Sequence, residues 1–134
     1  MSTTYSDQRR RAFVLALQEI DRFWGEIVGD ETYYDLHYSD LFTRMWLHRD
    51  HTFRKTELYA FMPRISHRTA VKYVQRAISQ GLIHEVTDAH DRRTKRVYLS
   101  DTMQERIERF LDHAIETLEN GTLQPRRRSV SLPD

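Results

Sequence analysis

The chain has 134 residues and no cysteine, enough for one domain around a single core and too few thiols for a disulfide framework, a Cys-ligated metal or a redox sensor. No stretch approaches the ~20 apolar residues of a membrane span, and the first residues lack a signal-peptide pattern, so a soluble, cytoplasmic protein is expected. The net charge of +1 hides an uneven distribution: from Arg54 to Arg96 there are ten Lys or Arg against four Asp or Glu, and elsewhere eleven against sixteen, which is the footprint of a nucleic-acid reader whose remaining body stays off the phosphate backbone.

A long helix is predicted from Asp7 to about Val28, stopped by Gly29-Asp30. Phe13, Leu17, Ile20, Trp24 and Ile27 fall at alternating four- and three-residue steps, with Ala16, Phe23 and Val28 beside them. That near-heptad rhythm belongs to a helix packed lengthwise on other helices, and residues 1–30 are read as a dimerisation helix. Tyr33, Tyr34, His37 and Tyr38 then cluster before Asp40, Leu41, Phe42, Met45, Trp46 and Leu47 open the first helix of the next module. The cluster either lines a pocket or forms the edge of the core. His48 and His51 are three apart, but two ligands fall short of the three or four that zinc takes from protein, and no metal is expected. No Gly-rich phosphate loop, nucleophile elbow or carboxylate constellation is present, so neither an enzyme nor a cofactor is implied.

From Arg54 onward the pattern changes. Thr56 to Met62 reads as a short helix, with Leu58 and Met62 four apart, broken by Pro63, which cannot continue a helix interior. Ser66 is a helix N-cap. Ala70, Val74 and Ala77, widened by Val71 and Ile78, form the apolar stripe of a second helix, and Gly81 ends it. Its other face carries His67, Arg68, Lys72, Gln75 and Arg76, with no acidic residue among them. Two helices across a tight turn make a helix-turn-helix, whose second helix is the reader. Arg68 suits a guanine edge; Ser66, Thr69 and the first amides suit phosphate. Arg54, Lys55 and Arg64 are flanking backbone contacts.

Leu82 to Thr87 and Lys95 to Leu99 are β-prone, and Val97 and Leu99 alternate with Arg96 and Tyr98 as in a half-buried strand. The polar segment Asp88–Thr94 joins them into a hairpin that carries Arg92, Arg93 and Lys95. The fold expected is mainly α with a small β-hairpin wing: a winged helix-turn-helix over 31–100. It is followed over 101–121 by a second dimerisation helix, opened by a capping box of Asp101 and Gln104 and ended by Asn120-Gly121. Met103, Ile107, Leu111, Ala114 and Leu118 repeat the heptad rhythm there, joined by Phe110 and Ile115. The terminal stripes, with Phe13, Leu17, Ile20, Trp24, Ile107, Leu111 and Leu118 at their centre, exceed what a module of this size covers. They pair either with a second subunit or with each other. Residues 122–134, with Arg126-Arg127-Arg128, lack periodic apolar content and are predicted to be a disordered basic tail.

Gly81-Leu82-Ile83, Asp88, Asp91-Arg92-Arg93 and Val97-Tyr98-Leu99-Ser100 resemble the MarR family of winged helix-turn-helix transcriptional regulators. The resemblance implies a homodimer joined through the terminal helices. It also implies that Asp91 braces the wing while Arg93 enters a minor groove, and that a small aromatic or anionic effector binds where the terminal helices meet the winged module. The chain departs from the family pattern at Pro63-Arg64-Ile65, a longer turn without glycine, at His84-Glu85, where basic residues are frequent, and near Met103-Gln104, where a glycine is absent. The function expected is a sequence-specific regulator of double-stranded DNA, a repressor. The alternatives are a winged-helix protein-interaction module without DNA binding, or a low-specificity architectural or replication-type DNA binder.

Overall fold

The computed structural model describes residues 4–123. Helix α1 (Asp7–Val28) opens where the Ser6 hydroxyl accepts the Arg9 amide, and it closes at Gly29, whose φ of 73° favours a residue without Cβ. Asp30 accepts the Thr32 amide at 2.9 Å and starts one 3₁₀ turn, Glu31–Tyr33. The next helix, α2 (Leu36–Leu47), begins four residues before Asp40, where the sequence suggested its start. The cause is Asp35, whose Oδ1 accepts the amides of His37 at 2.8 Å and Tyr38 at 3.2 Å. His37 and Tyr38 are therefore in the first helical turn.

Helix α3 (Lys55–Ala60) stops two residues short of Met62, which is buried in the turn that follows. Helix α4 (His67–Ser79) starts after Ser66, whose hydroxyl accepts the Thr69 amide at 3.1 Å. Strands β1 (Ile83–Thr87) and β2 (Lys95–Leu99) pair antiparallel in a register that sets Ile83 against Leu99 and Glu85 against Val97. Phe53 adds a third, single-residue rung, exchanging backbone hydrogen bonds of 2.9 and 2.8 Å with Val97. It pins the base of the wing to the loop before α3. Helix α5 (Asp101–Leu123) is capped by Ser100, whose hydroxyl accepts the Met103 amide at 3.0 Å, and not by the expected Asp101–Gln104 box. It continues through Asn120-Gly121, where an end was expected. The basic tail from Gln124 onward lies outside the described residues.

One core joins all of these elements. Leu41, Phe42 and Met45 of α2 are fully buried at its centre, with Leu58, Val74, Ile83, Val97, Met103 and Ile107 around them. Along the terminal helices the Trp24 ring meets Phe110 edge-on at 5.0 Å, Phe23 lies 4.1 Å from the His113 ring, and His113 Nε2 is 2.8 Å from Glu19 Oε2. Part of the apolar surface at the termini is thus covered within the chain. Trp24 and Ile107, expected at a subunit interface, belong to this core, and Ile20, Leu111 and Leu118 are half-buried. The N-terminal half of α1 is different: Phe13, Val14, Leu15 and Leu17, with Ile115 of α5, are 44–54 % exposed. No helix among the described residues is long and apolar enough to cross a membrane.

Candidate nucleic-acid interface

Helix α4 buries Ala70, Val74 and Ala77 and leaves His67, Arg68, Lys72, Gln75 and Arg76 exposed. Ser66 also donates its hydroxyl to Thr69 Oγ1 at 3.0 Å, which fixes the first turn, while the His67 ring stands edge-on to Tyr59 of α3 at 5.1 Å. No ion pair among the described residues includes Arg64, Arg68, Lys72 or Arg76. Arg76 is nevertheless set apart. It is close enough to Asp30 and Tyr38 to oppose the burial that raises the Tyr38 hydroxyl and to help hold the Asp30 carboxyl low, after the Thr32 hydrogen bonds. Its guanidinium leans back toward the body, whereas Arg68 and Lys72 stand free on the N-terminal half of the helix.

In the wing, Asp91 Oδ1 accepts the Arg93 amide at 3.1 Å and the Arg93 Nε at 3.3 Å, and Oδ2 accepts the Thr94 hydroxyl at 3.2 Å. These bonds, led by the Arg93 amide, hold the Asp91 carboxyl below its ordinary value. The Arg93 side chain is 92 % exposed at the hairpin tip, and Arg92 and Lys95 are exposed beside it. Two other cations of the basic stretch work inside the fold. Lys55 Nζ lies 2.5 Å from Glu85 of β1, so the acidic residue at His84-Glu85 ties the wing to α3. Arg96 donates to the Thr52 hydroxyl at 3.0 Å and carbonyl at 2.7 Å. Arg54 is exposed, its amide donating to Glu57 Oε1 at 2.7 Å.

The aromatic cluster divides. Tyr33 and Tyr38 are core residues, 2 % and 1 % exposed, with their rings 4.6 Å apart, and Tyr33 also borders a cavity of ≈ 320 Å³ beside Val28, Gln80 and Arg106. His37 is half-buried, and Tyr34 faces a cleft of ≈ 840 Å³ between α1, the start of α2 and α5. At that point sequence reasoning missed two residues. Tyr73, on the inner side of α4, donates its hydroxyl to Asp35 Oδ2 at 2.6 Å, and its ring stacks on Tyr38 at 4.4 Å and 11°. Asp35 was legible as a cap-type residue, but a partner 38 residues away in the chain leaves no local signal. Among the described residues, no group of three or more His, Cys, Asp or Glu is placed to hold a metal ion, and the His48 and His51 rings are 6.1 Å apart.

No protein-family model matches the sequence, and no curated protein matches it. Solved structures do. A variant of MepR from S. aureus bound to an oligodeoxyribonucleotide is similar over 94 % of this chain and 87 % of its own, at 17 % identity and a TM-score of 0.71. S. aureus MepR bound to ethidium bromide covers 87 % and 79 %, at 17 % identity and a TM-score of 0.69. A MarR-like transcription regulator from Bacillus cereus covers 84 % and 75 %, at 14 % identity and a TM-score of 0.55. Five helices, a two-stranded wing and this likeness along most of both chains give the same answer: the protein has the winged-helix fold of the MarR-type transcription regulators.

Proposed function

We propose that the protein is a cytoplasmic, homodimeric, sequence-specific DNA-binding transcriptional regulator, acting as a repressor and not as an enzyme. The observation that carries this reading is the outer face of α4. On the second helix of a helix-turn-helix, Arg68 and Lys72 are exposed, in no ion pair among the described residues, and adjacent to a capped helix start whose amides suit phosphate. Arg68 reads a base edge in the major groove, while Ser66, Thr69 and Lys72 hold phosphates. Arg93, oriented by Asp91, enters the neighbouring minor groove, where negative potential is concentrated. Arg64 and Arg54 flank these contacts, with Arg92 and Lys95 beside the wing tip; Lys55 and Arg76 contribute less, since both face the body of the chain.

A second copy supplies the second half-site. The exposed residues Phe13, Val14, Leu15 and Leu17, with Ile115, support pairing through the start of α1 and the later part of α5. The cleft before Tyr34 is the better candidate for an effector site than the buried Tyr33–Tyr38 pair. That MepR has been seen with both DNA and a small dye supports, by likeness of fold, a protein that answers to both.

The test is binding of the purified protein to the duplex upstream of its own gene and to random duplex, across a salt series. Tighter binding to the upstream duplex, with affinity falling steeply as salt rises, is the expected result. Salt-dependent binding without preference would favour the architectural reading, and no binding at low salt would favour a protein-interaction module.

A further inference from the structure

Of the 21 lysines and arginines in the chain, only Lys55, Lys72 and Lys95 are lysines. All three lie in the basic stretch of the winged module, and α1 and α5 carry arginine alone. The distinction is chemical. An uncharged ε-amine attacks an activated carbonyl and then keeps no charge, whereas a guanidinium stays protonated and does not react. Amide-forming acylation of side chains is therefore confined to the module that carries the basic face.

The three amines are not equally available. Lys55 is half-buried and its Nζ lies 2.5 Å from Glu85, so an approaching carbonyl must first break an ion pair. Lys72 and Lys95 are exposed and belong to no ion pair among the described residues. Their surroundings differ in sign. Helix α4 contains no Asp or Glu, and Arg68 stands one turn before Lys72, at the spacing that makes side chains neighbours on a helix. Beside Lys95, Asp91 accepts the Thr94 hydroxyl at 3.2 Å, and the Asp88 amide donates to the Thr94 carbonyl at 2.9 Å. Arg93 is already held by Asp91 at 3.3 Å. The field at the wing is mixed, where that along α4 has one sign.

That difference selects a donor. An acyl phosphate joins a reactive carbonyl to an anionic phosphate, which a surface of one positive sign concentrates. With its phosphate on Arg68, the donor presents its carbonyl to the amine one turn on. The uncharged Lys72 amine attacks the carbonyl carbon. A C–N bond forms, the C–O bond to the phosphate breaks, inorganic phosphate leaves, and the amine proton passes to solvent. Nothing is oxidised or reduced. The product is a neutral amide in place of a cation.

We propose that Lys72 is the preferred site at which an acyl phosphate, drawn by Arg68, acylates this protein, and that the amide formed there weakens DNA binding. The first half stands on the chain alone; the second rests on the DNA reading above.

The first test treats the full chain with acetyl phosphate, or with the N-hydroxysuccinimide ester of acetic acid, a neutral donor of the same acetyl group. Peptide mass spectrometry follows each lysine. At low ionic strength acetyl phosphate should modify Lys72 about threefold faster than Lys95 and at least about tenfold faster than Lys55, the scale of one or two nearby charges in solvent. The neutral ester should modify Lys72 and Lys95 within about twofold of each other, and Arg68→Gln should level the two with acetyl phosphate. Equal rates at Lys72 and Lys95 in the wild type, or a preference that survives Arg68→Gln, would overturn the assignment.

The second test measures affinity for the preferred duplex before and after treatment. The wild type and Lys95→Arg should each lose about tenfold, the scale of a lost phosphate contact in each of two subunits. Lys72→Arg, which keeps a cation and cannot form the amide, should lose less than about twofold on treatment. An equal loss in Lys72→Arg and the wild type would overturn the role of Lys72. A protein that binds no duplex before treatment would sink the DNA reading and the second half of the proposal with it, and the acetylation rates would still decide the first.

Discussion

Helices α1 and α4 are both rich in charge and differ in what the charges face. On α1, Arg10 lies 2.8 Å from Asp7, and Arg22 lies 2.7 and 2.6 Å from Glu19 and Glu26. These are i,i+3 and i,i+4 pairs, screened by solvent on an exposed helix, and they serve the helix that carries them. On α4 the cations Arg68 and Lys72 have no such partner, and the helix contains no Asp or Glu at all. Under the proposed reading, these cations on one exposed face serve a polyanion outside the chain. The apolar surfaces divide in a similar way. The C-terminal half of α1 is packed on α5, while Phe13, Val14, Leu15 and Leu17 of its N-terminal half are exposed and Ala16 among them is buried.

The largest effects should separate the two halves of that helix pair. Ile107→Ala, at 0 % exposure, should cost about 2–5 kcal/mol of folding stability, measured by urea denaturation. Phe13→Glu together with Leu17→Glu should leave stability within about 1 kcal/mol and convert the sedimenting species from dimer to monomer. A wild type that sediments as a monomer at micromolar concentration would remove the dimer from the proposal.

The wing sharpens the contrast next. Arg93→Ala and Asp91→Ala should both weaken DNA binding, although the second removes a negative charge, because Asp91 accepts both the amide and the Nε of Arg93. Tighter binding by Asp91→Ala would make Asp91 a repulsive charge only. Lys72→Ala, one turn behind Arg68, should weaken all duplexes about equally and reduce the slope of log affinity against log salt by about one unit.

Much of this division was legible in the sequence, for physical reasons. Helix α1 and the start of α4 are bounded by local chemistry, Ser6 and Gly29 for one and Ser66 for the other, and periodicity marks their buried sides. The start of α2 was misplaced because Asp35 and Asp40 are both cap-type residues, and only the hydrogen bonds of Asp35 decide between them. Ser100 in place of Asp101 at α5 is the same ambiguity one residue apart. The exposed face of α4 followed from its stripe. That Lys55 pairs with Glu85, Arg96 with Thr52, and Arg76 with the Tyr38 side did not, because each partner is distant in sequence. The Phe53–Val97 rung is a single residue pair and has no pattern to read.

The smallest effect is on pH dependence. Arg22, and less strongly His113, hold the Glu19 carboxyl down to about 2, against some opposition from burial. A depressed folded-state value stabilises the fold above the ordinary 4.5, and that contribution is lost as pH falls from there toward about 2. The side chain is 35 % exposed, so solvent screens much of it. Glu19→Gln should therefore show a slightly shallower loss of stability over that range, read by denaturation at several pH values, and an unchanged acid limb would remove this contribution.

The claim that α4 reads DNA is tested most directly by a charge-matched comparison. Arg68→Ala and Arg109→Ala each remove one exposed arginine, the first from α4 and the second from α5. On the preferred duplex Arg68→Ala should cost about 1–3 kcal/mol, and on random duplex far less, while Arg109→Ala should change neither appreciably. Equal losses from the two substitutions, or an equal loss for Arg68→Ala on both duplexes, would contradict base reading by this helix.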